Sequence, residues 1–390
     1  MPGNAEFFKR PQPAAVLKHG VLRRYVKVFA SKTGSMSGGK VVFLDGYAGP
    51  GRYESGEAAS PMLAIELAKN ISTFRNLRCV FVELDKDYFA QLNSLIQQEA
   101  GDLDVQARQG RIEDHISEIV STCGDAPLFA YLDPFGVGVP FNTLTETLLG
   151  RSKYGHPKTE VLLNFSIQAF DRVGGLIKST ARNRAATLAR MDQTLGGDWW
   201  QRTYLENSGV DRLNTVVRGY RERISAATTG WGGWTVPVFD KIGGRPEYLL
   251  LHFTQHPDGH WEFHQALSSA TREWREAAHA AHPPHQDRLA EMGQLPLEGL
   301  EEPTPFEEDE NAWVDEIERS VLLLRTGERV VVQDRMSDIF GRSIGLAREL
   351  HLRKALNRLY DAGRIENPPI GKLQRYVIVL VKTPPPQELT

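Results

Sequence analysis

The sequence predicts an α/β fold, a largely parallel sheet covered on both faces by helices, followed by a small α+β domain. Three observations carry this. From Lys40 to about Phe170, short apolar runs alternate with stretches of helical periodicity, the pattern of parallel strands joined by crossover helices. The apolar runs end in acids, glycines and prolines, and ligands of such sheets bind beyond the C-terminal strand ends. A Pro-rich and acidic stretch, residues 282–310, then separates this region from a tail with its own apolar stripe.

In chain order, Ala14 to Lys32 reads as a helix, with Val16, Leu17, Val21, Tyr25, Val28 and Phe29 at helical spacing after Pro11 and Pro13. Its other face, with Lys18, Arg23, Arg24 and Lys27, is either solvated or turned toward phosphate. Residues 1–39 form this N-terminal segment and 40–281 the sheet domain. Strands are expected at Lys40–Asp45, Arg78–Glu83, Asp104–Arg108, Leu128–Asp133 and Glu160–Phe165, with helices such as Pro61–Asn70 and Lys86–Gln98 between them. A polar helical insertion covers about 172–230 and contains Trp199-Trp200, a pair more often core than stacking platform. Thr235–Phe239 and Glu247–Thr254 flank a glycine turn and read as a hairpin closing the sheet, followed by a helix from Trp261 to about Ala281. In the linker, His279, His282 and His285 have metal-ligand chemistry but no spacing that fixes a geometry. In residues 311–390, Leu352, Leu356 and Leu359 stripe a helix, and Pro368-Pro369-Ile370-Gly371 turns into a strand at Arg375–Val381, an order that resembles a winged helix.

Composition narrows the chemistry. The chain has 390 residues, 41% hydrophobic and 24% charged, with net charge -3, so a polyanionic partner would meet a local patch and not a global field. Cys79 and Cys123 are the two cysteines, in apolar or small-residue surroundings, which argues against a disulfide framework or cysteine-held cluster and makes a reducing cytoplasm the default expectation. No run approaches the ~20 apolar residues of a membrane span, and no apolar signal core follows Lys9 and Arg10.

Four strand ends carry the candidate chemistry. Asp45-Gly46-Tyr47-Ala48-Gly49-Pro50-Gly51 is an acid followed by a glycine turn that brings backbone N–H groups close to a ligand; alternatively Asp45 caps a turn. It is not a triphosphate loop, since no Gly-Lys-Ser/Thr follows, and Tyr47, Pro50 and the polar run from Arg52 to Gly56 set it apart from a dinucleotide fingerprint. Glu83, with Asp85 as its rival, stands where an acid accepts ribose hydroxyls. In Ile112-Glu113-Asp114, Asp114 or Glu113 either meets a ligand or caps the next helix. Asp133-Pro134-Phe135-Gly136 offers a carboxylate and a Pro-fixed carbonyl to accept an amine's hydrogens, and a ring to stack on a planar base; alternatively Asp-Pro stabilises a turn.

In this order the four patches resemble the motifs of class I S-adenosyl-L-methionine-dependent methyltransferases, which are Rossmann-like. The resemblance implies S-adenosyl-L-methionine as cofactor, held by Asp45, Gly46, Tyr47, Gly49, Gly51, Glu83 and Asp114, and catalysis by Asp133, Pro134 and Phe135. It implies that Asp45 orients the methionine amino group and that Glu113 or Asp114 meets adenine. Asp133 to Phe141 also resembles the corresponding segment of tRNA guanine-N2 dimethyltransferases. Over most of residues 8–280, Leu22-Arg23-Arg24-Tyr25, the Asp45 loop, Ser60-Pro61, Glu83, Asp133-Pro134-Phe135-Gly136, Asn164-Phe165 and Phe253-Thr254-Gln255-His256-Pro257 resemble the three-Cys-motif partner (TcmP) family. That family has Asp-Leu-Phe-Ala where this chain has Asp-Gly-Tyr-Ala, a change that keeps an aromatic at Tyr47. This resemblance implies a cysteine-rich, radical S-adenosylmethionine-like partner protein. The expected function is N-methylation of a nucleic-acid base, with Arg342, Arg348, Arg353, Lys354, Arg358, Arg364, Lys372 and Arg375 of the C-terminal domain as the backbone clamp. The alternatives are a methyltransferase fold serving as a binding module without turnover, and methylation of a small molecule.

Overall fold

The computed structural model describes residue 9 and residues 11–136, 138–154, 158–228, 231–281 and 305–381. The chain divides into two compact units, Met1–Gln255 and His256–Thr390.

The first unit is built on seven strands: β1 (Lys40–Asp45), β2 (Asn76–Glu83), β3 (Val105–Gln109), β4 (Leu128–Leu132), β5 (Thr159–Ser166), β6 (Thr235–Phe239) and β7 (Pro246–Phe253). Their spatial order is β3-β2-β1-β4-β5-β7-β6. β1 to β5 are mutually parallel, while β7 runs antiparallel to both β5 and β6. This is the Rossmann-like arrangement the alternating pattern predicts, closed by the expected hairpin inserted with its second strand innermost. Central strands are buried along nearly their whole length, as a parallel sheet with both faces covered requires. The covering helices are α1 (Pro13–Thr33), α2 (Ser60–Ile71), α3 (Lys86–Glu99) and α4 (Ile112–Cys123). Asp85 caps α3, accepting from the N–H groups of Asp87 and Tyr88.

α1 is locked to the sheet by a buried polar cluster. Glu160 of β5 accepts from the Tyr25 hydroxyl at 2.5 Å and the Thr254 hydroxyl at 2.8 Å, with His252 Nε2 at 3.3 Å. Such a carboxylate is tolerated in the interior because its lone pairs are filled. Lys18 lies seven residues before Tyr25, two turns along the same helix face. It is therefore carried to the sheet's C-terminal edge.

The insertion consists of α5 (Ile167–Gly174), α6 (Arg184–Leu195), α7 (Trp199–Glu206) and α8 (Gly209–Ala227). Trp200 is fully buried and donates to Asp192 at 2.7 Å, while Trp199 is half-buried under the Arg223 guanidinium. The pair is mainly core.

The second unit contains α9 (Pro257–Ala281), α10 (Pro305–Leu322), α11 (Met336–Phe340), α12 (Glu349–Asp361) and the two-residue strands β8 (Val330–Val331) and β9 (Val377–Ile378). Three expectations are corrected here. α9 belongs to this unit and not to the sheet domain, because its buried face meets residues of the second unit: Trp261 packs tilted and His264 edge-on against Phe340, and Ser268 donates to the Ala347 carbonyl. Residues 305–310, read as linker, are the first turns of α10, where Asp309 pairs with Arg275 and Glu310 faces Arg348 and His351. Residues 282–304, with His282 and His285, lie outside the described residues. The last strand is shorter than Arg375–Val381, since Leu373–Arg375 form a tight helical turn and β8 offers two residues for pairing. The Leu352, Leu356 and Leu359 stripe is buried as read.

Candidate active site

Parallel register places the four strand ends along one edge of the sheet. Asp45 pairs with Phe81 on one side and Tyr131 on the other, Glu83 pairs with Gln109, and Leu132 with Leu163. The acids at the ends of β1, β2 and β4 and Asn164 near the end of β5 therefore emerge together.

Asp45 is fully buried. Its Oδ1 accepts from the Tyr47 N–H at 3.1 Å, and its Oδ2 is buried without a hydrogen-bond partner. Burial pushes its carboxyl up to about 7, opposed by the neighbouring Ser60 hydroxyl and the Tyr47 N–H. A buried acid with one oxygen unfilled is a site for a cation or a strong donor.

The glycine turn is tied to β2. Ala48 N–H donates to the Val82 carbonyl, and Gly49 N–H donates to Glu83 Oε2 at 2.7 Å. Gly49 and Gly51 have φ of 66° and 88°, a region closed to most side chains, so the turn depends on glycine there. A Cβ on Gly46 would lie 2.8 Å from Leu132, which is how closely this loop rests on β4. Glu83 Oε1 accepts from the Asp85 N–H at 2.6 Å, so Asp85 joins as a backbone donor while Glu83 presents the carboxylate. Burial raises the Glu83 carboxyl, and the Asp85 and Gly49 N–H groups oppose the rise. With two of about four lone-pair positions used, the others remain for ligand hydroxyls.

Asp133 lies just past β4 and is heavily engaged. Lys18 Nζ meets Oδ2 at 2.6 Å, the Tyr131 hydroxyl donates to Oδ2 at 2.8 Å, and the Asn164 amide donates to Oδ1. Burial alone would raise this carboxyl, but the Lys18 charge and the three hydrogen bonds outweigh it and hold it below the usual range. Lys18 is itself only 4% exposed and sits 4.7 Å from the Tyr248 ring centre. Tyr53, from the loop after the glycine turn, and Tyr248 both feel the Asp133 charge in addition to burial, which raises their hydroxyls. Pro134 is buried and Phe135 is half exposed beyond it.

Lys18, Asn164, Tyr131, Tyr53 and Tyr248 thus surround the predicted carboxylate. Reading Lys18 on a solvated or phosphate-facing surface is overturned: it falls in the spacing of Ala14, Leu17, Val21, Leu22 and Tyr25, and a lone cation on an apolar stripe was the available signal. Asp114 sits in the first turn of α4 with an exposed side chain that makes no cap, since Arg111 is the cap residue. Glu113 is the acid near the glycine loop. Burial raises the Tyr47 hydroxyl most, Glu113 adds to the rise, and Arg190 and Arg111 oppose it.

The arrangement can be tested against S-adenosyl-L-methionine on its own geometry. The unfilled Asp45 Oδ2 suits an α-ammonium, Glu83 suits vicinal hydroxyls, and the Gly49 and Gly51 backbone leaves no side chain in the way of a close-lying ligand. The residues fit the group.

Among solved structures the chain is similar to an RNA methyltransferase from Salinibacter ruber in complex with S-adenosyl-L-homocysteine, at 19% identity over 36% of this chain and 75% of that chain, TM-score 0.21. It is also similar to the O-methyltransferase TomG from Streptomyces achromogenes in complex with SAM, at 11% identity over 65% and 94%, TM-score 0.30. An O-methyltransferase from Bacillus cereus in complex with SAH shows 11% identity over 64% and 94%, TM-score 0.28. No protein-family model and no curated protein sequence matches the chain. At these scores the likenesses carry no argument, and the fold rests on the strand order. Among the described residues, no helix is long and apolar enough to cross a membrane.

Proposed function

We propose that the chain is an S-adenosyl-L-methionine-dependent N-methyltransferase acting on the amino group of a nucleic-acid base. The observation that carries this is the pairing at one sheet edge of a buried acid with one oxygen unfilled, Asp45, with a second carboxylate, Asp133, held ionised by Lys18. When bound, the cofactor supplies a methyl group made electrophilic by a sulfonium sulfur. Asp45 holds the ammonium end and Glu83 accepts from the ribose hydroxyls. Asp133 is a poor proton acceptor because its carboxyl is held low, so its part is orientation. Its Oδ1, bonded once by Asn164, has room for one amine hydrogen, and the Pro134 carbonyl takes another; this turns the nitrogen lone pair forward. Phe135 covers the base, and the proton displaced from nitrogen leaves to water.

A second reading has support in the same cluster. Three donors already engage Asp133, which suits a binding module that keeps the fold without turnover. Incubation with methyl-labelled S-adenosyl-L-methionine and separate DNA, RNA and protein fractions decides between them. The expected result is label in a nucleic-acid fraction with the wild type and none with the double variant Lys18→Met/Asp133→Asn, while both bind S-adenosyl-L-homocysteine. Binding by the wild type with no label in any fraction supports the module; label in protein alone rejects the nucleic-acid acceptor.

A further inference from the structure

Half of the expected phosphate clamp in the C-terminal unit is spent on internal bonds, while Lys354, Lys372 and Arg375 stay exposed. Arg342 pairs with Glu316, Arg348 with Glu310, Arg353 with Glu349 and the Pro369 and Gly371 carbonyls, and Arg358 with Asp315 and Glu318. Residues 256–390 contain 16 basic and 23 acidic side chains, against 30 and 26 in residues 1–255.

The insertion is different. Residues 172–191 contain five basic side chains and no acid. Arg184 is spent on the Leu176 and Ile177 carbonyls, which fixes the turn before α6. Lys178, Arg182 and Arg190 are exposed and have no acidic or carbonyl partner among the described residues. Arg190 lies on α6, and Lys178 and Arg182 lie in the segment that leads into it. α6 also reaches the candidate active site. Met191 and Thr194 line a small cavity with Gly136, Leu163, Asn164 and Tyr220. Asn164 is the residue whose amide bonds Asp133, and its Oδ1 is buried without a partner, as is the hydroxyl of the fully buried Tyr220. Arg190 acts electrostatically on Tyr47 in the glycine loop. α6 and the segment before it therefore carry unpaired cations, and α6 also lines an apolar cavity that holds two orphaned polar groups.

We propose that the insertion is the acceptor-recognition element: Lys178, Arg182 and Arg190 contact backbone phosphates of a single-stranded polynucleotide whose base enters beside Asn164 and Tyr220. This rests on the methyltransferase reading above. Cations at the rim would supply sequence-independent attraction, and the two orphaned groups would meet the hydrogen-bonding edge of the base.

The test is fluorescence anisotropy of a labelled single-stranded oligonucleotide of mixed sequence, as RNA and as DNA, with the full chain saturated with S-adenosyl-L-homocysteine. Lys178→Glu/Arg182→Glu/Arg190→Glu is compared with Lys354→Glu/Lys372→Glu/Arg375→Glu in the second unit. The insertion variant is expected to bind at least roughly tenfold more weakly, with a log–log salt slope shallower by about 2. The second-unit variant is expected to stay near wild type. Calorimetric binding of S-adenosyl-L-homocysteine, expected unchanged in both, reports the fold and the cofactor reading separately. Wild-type-like oligonucleotide binding by the insertion variant overturns the proposal, as does loss confined to the second-unit variant. If the wild type binds S-adenosyl-L-homocysteine but neither oligonucleotide, this inference fails while the cofactor site stands; no cofactor binding defeats the reading beneath it.

Discussion

At the scale of single residues, the Lys18–Asp133 pair governs what a mutation at the site reports. An ammonium that is 4% exposed is stabilised in its buried place by the Asp133 carboxylate beside it. Asp133→Ala would take the 2.6 Å carboxylate away from that buried charge and is expected to cost about 3–5 kcal/mol in a denaturant titration, so lost activity in that variant would confound chemistry with folding. Lys18→Met/Asp133→Asn removes both charges and is expected to recover most of that stability without recovering methyl transfer. Equal destabilisation by Asp133→Ala and the double variant would mean that the ion pair is not what holds the cluster.

At the scale of elements, the glycine turn and the ends of β1, β2 and β4 form one hydrogen-bonded unit. Gly49 adopts a φ of 66° and its N–H satisfies Glu83, so a β-branched residue there strains the backbone and moves the donor together. Gly49→Val is expected to lower stability by about 1–3 kcal/mol and to weaken S-adenosyl-L-homocysteine binding; unchanged binding would separate the turn from the ligand site. Several strands were legible as short apolar runs that meet an acid at their C-terminal ends, and β1 and β6 fall where the pattern puts them. The limits of α9 and of the last strand were not legible. An amphipathic helix shows that it has a buried face without showing which unit buries it, and pairing length depends on a partner, here the two residues of β8.

At the scale of the molecule, sequence order alone brought Asp45, Glu83 and Asp133 to one edge, because every parallel strand ends on the same side. What it could not show was which charges are spent. Arg353 and Arg358 look as available in the sequence as Lys178 and Arg182, and only the fold reveals that the first two are tied to neighbours. The same holds for Asp45, whose unfilled oxygen is a property of packing. Calorimetry of S-adenosyl-L-homocysteine binding at about pH 6 and pH 8, with wild type and Asp45→Asn, tests the site most directly. Burial raises the Asp45 carboxyl to about 7, so in the free protein it is largely protonated at the lower pH and must ionise to pair with the ligand's ammonium. Wild-type affinity is therefore expected to rise about tenfold from pH 6 to pH 8, and Asp45→Asn to bind more weakly with no such rise. Absence of binding by the wild type, or an Asn variant matching its affinity and pH dependence, would contradict the assignment of Asp45 as the cofactor's anchor.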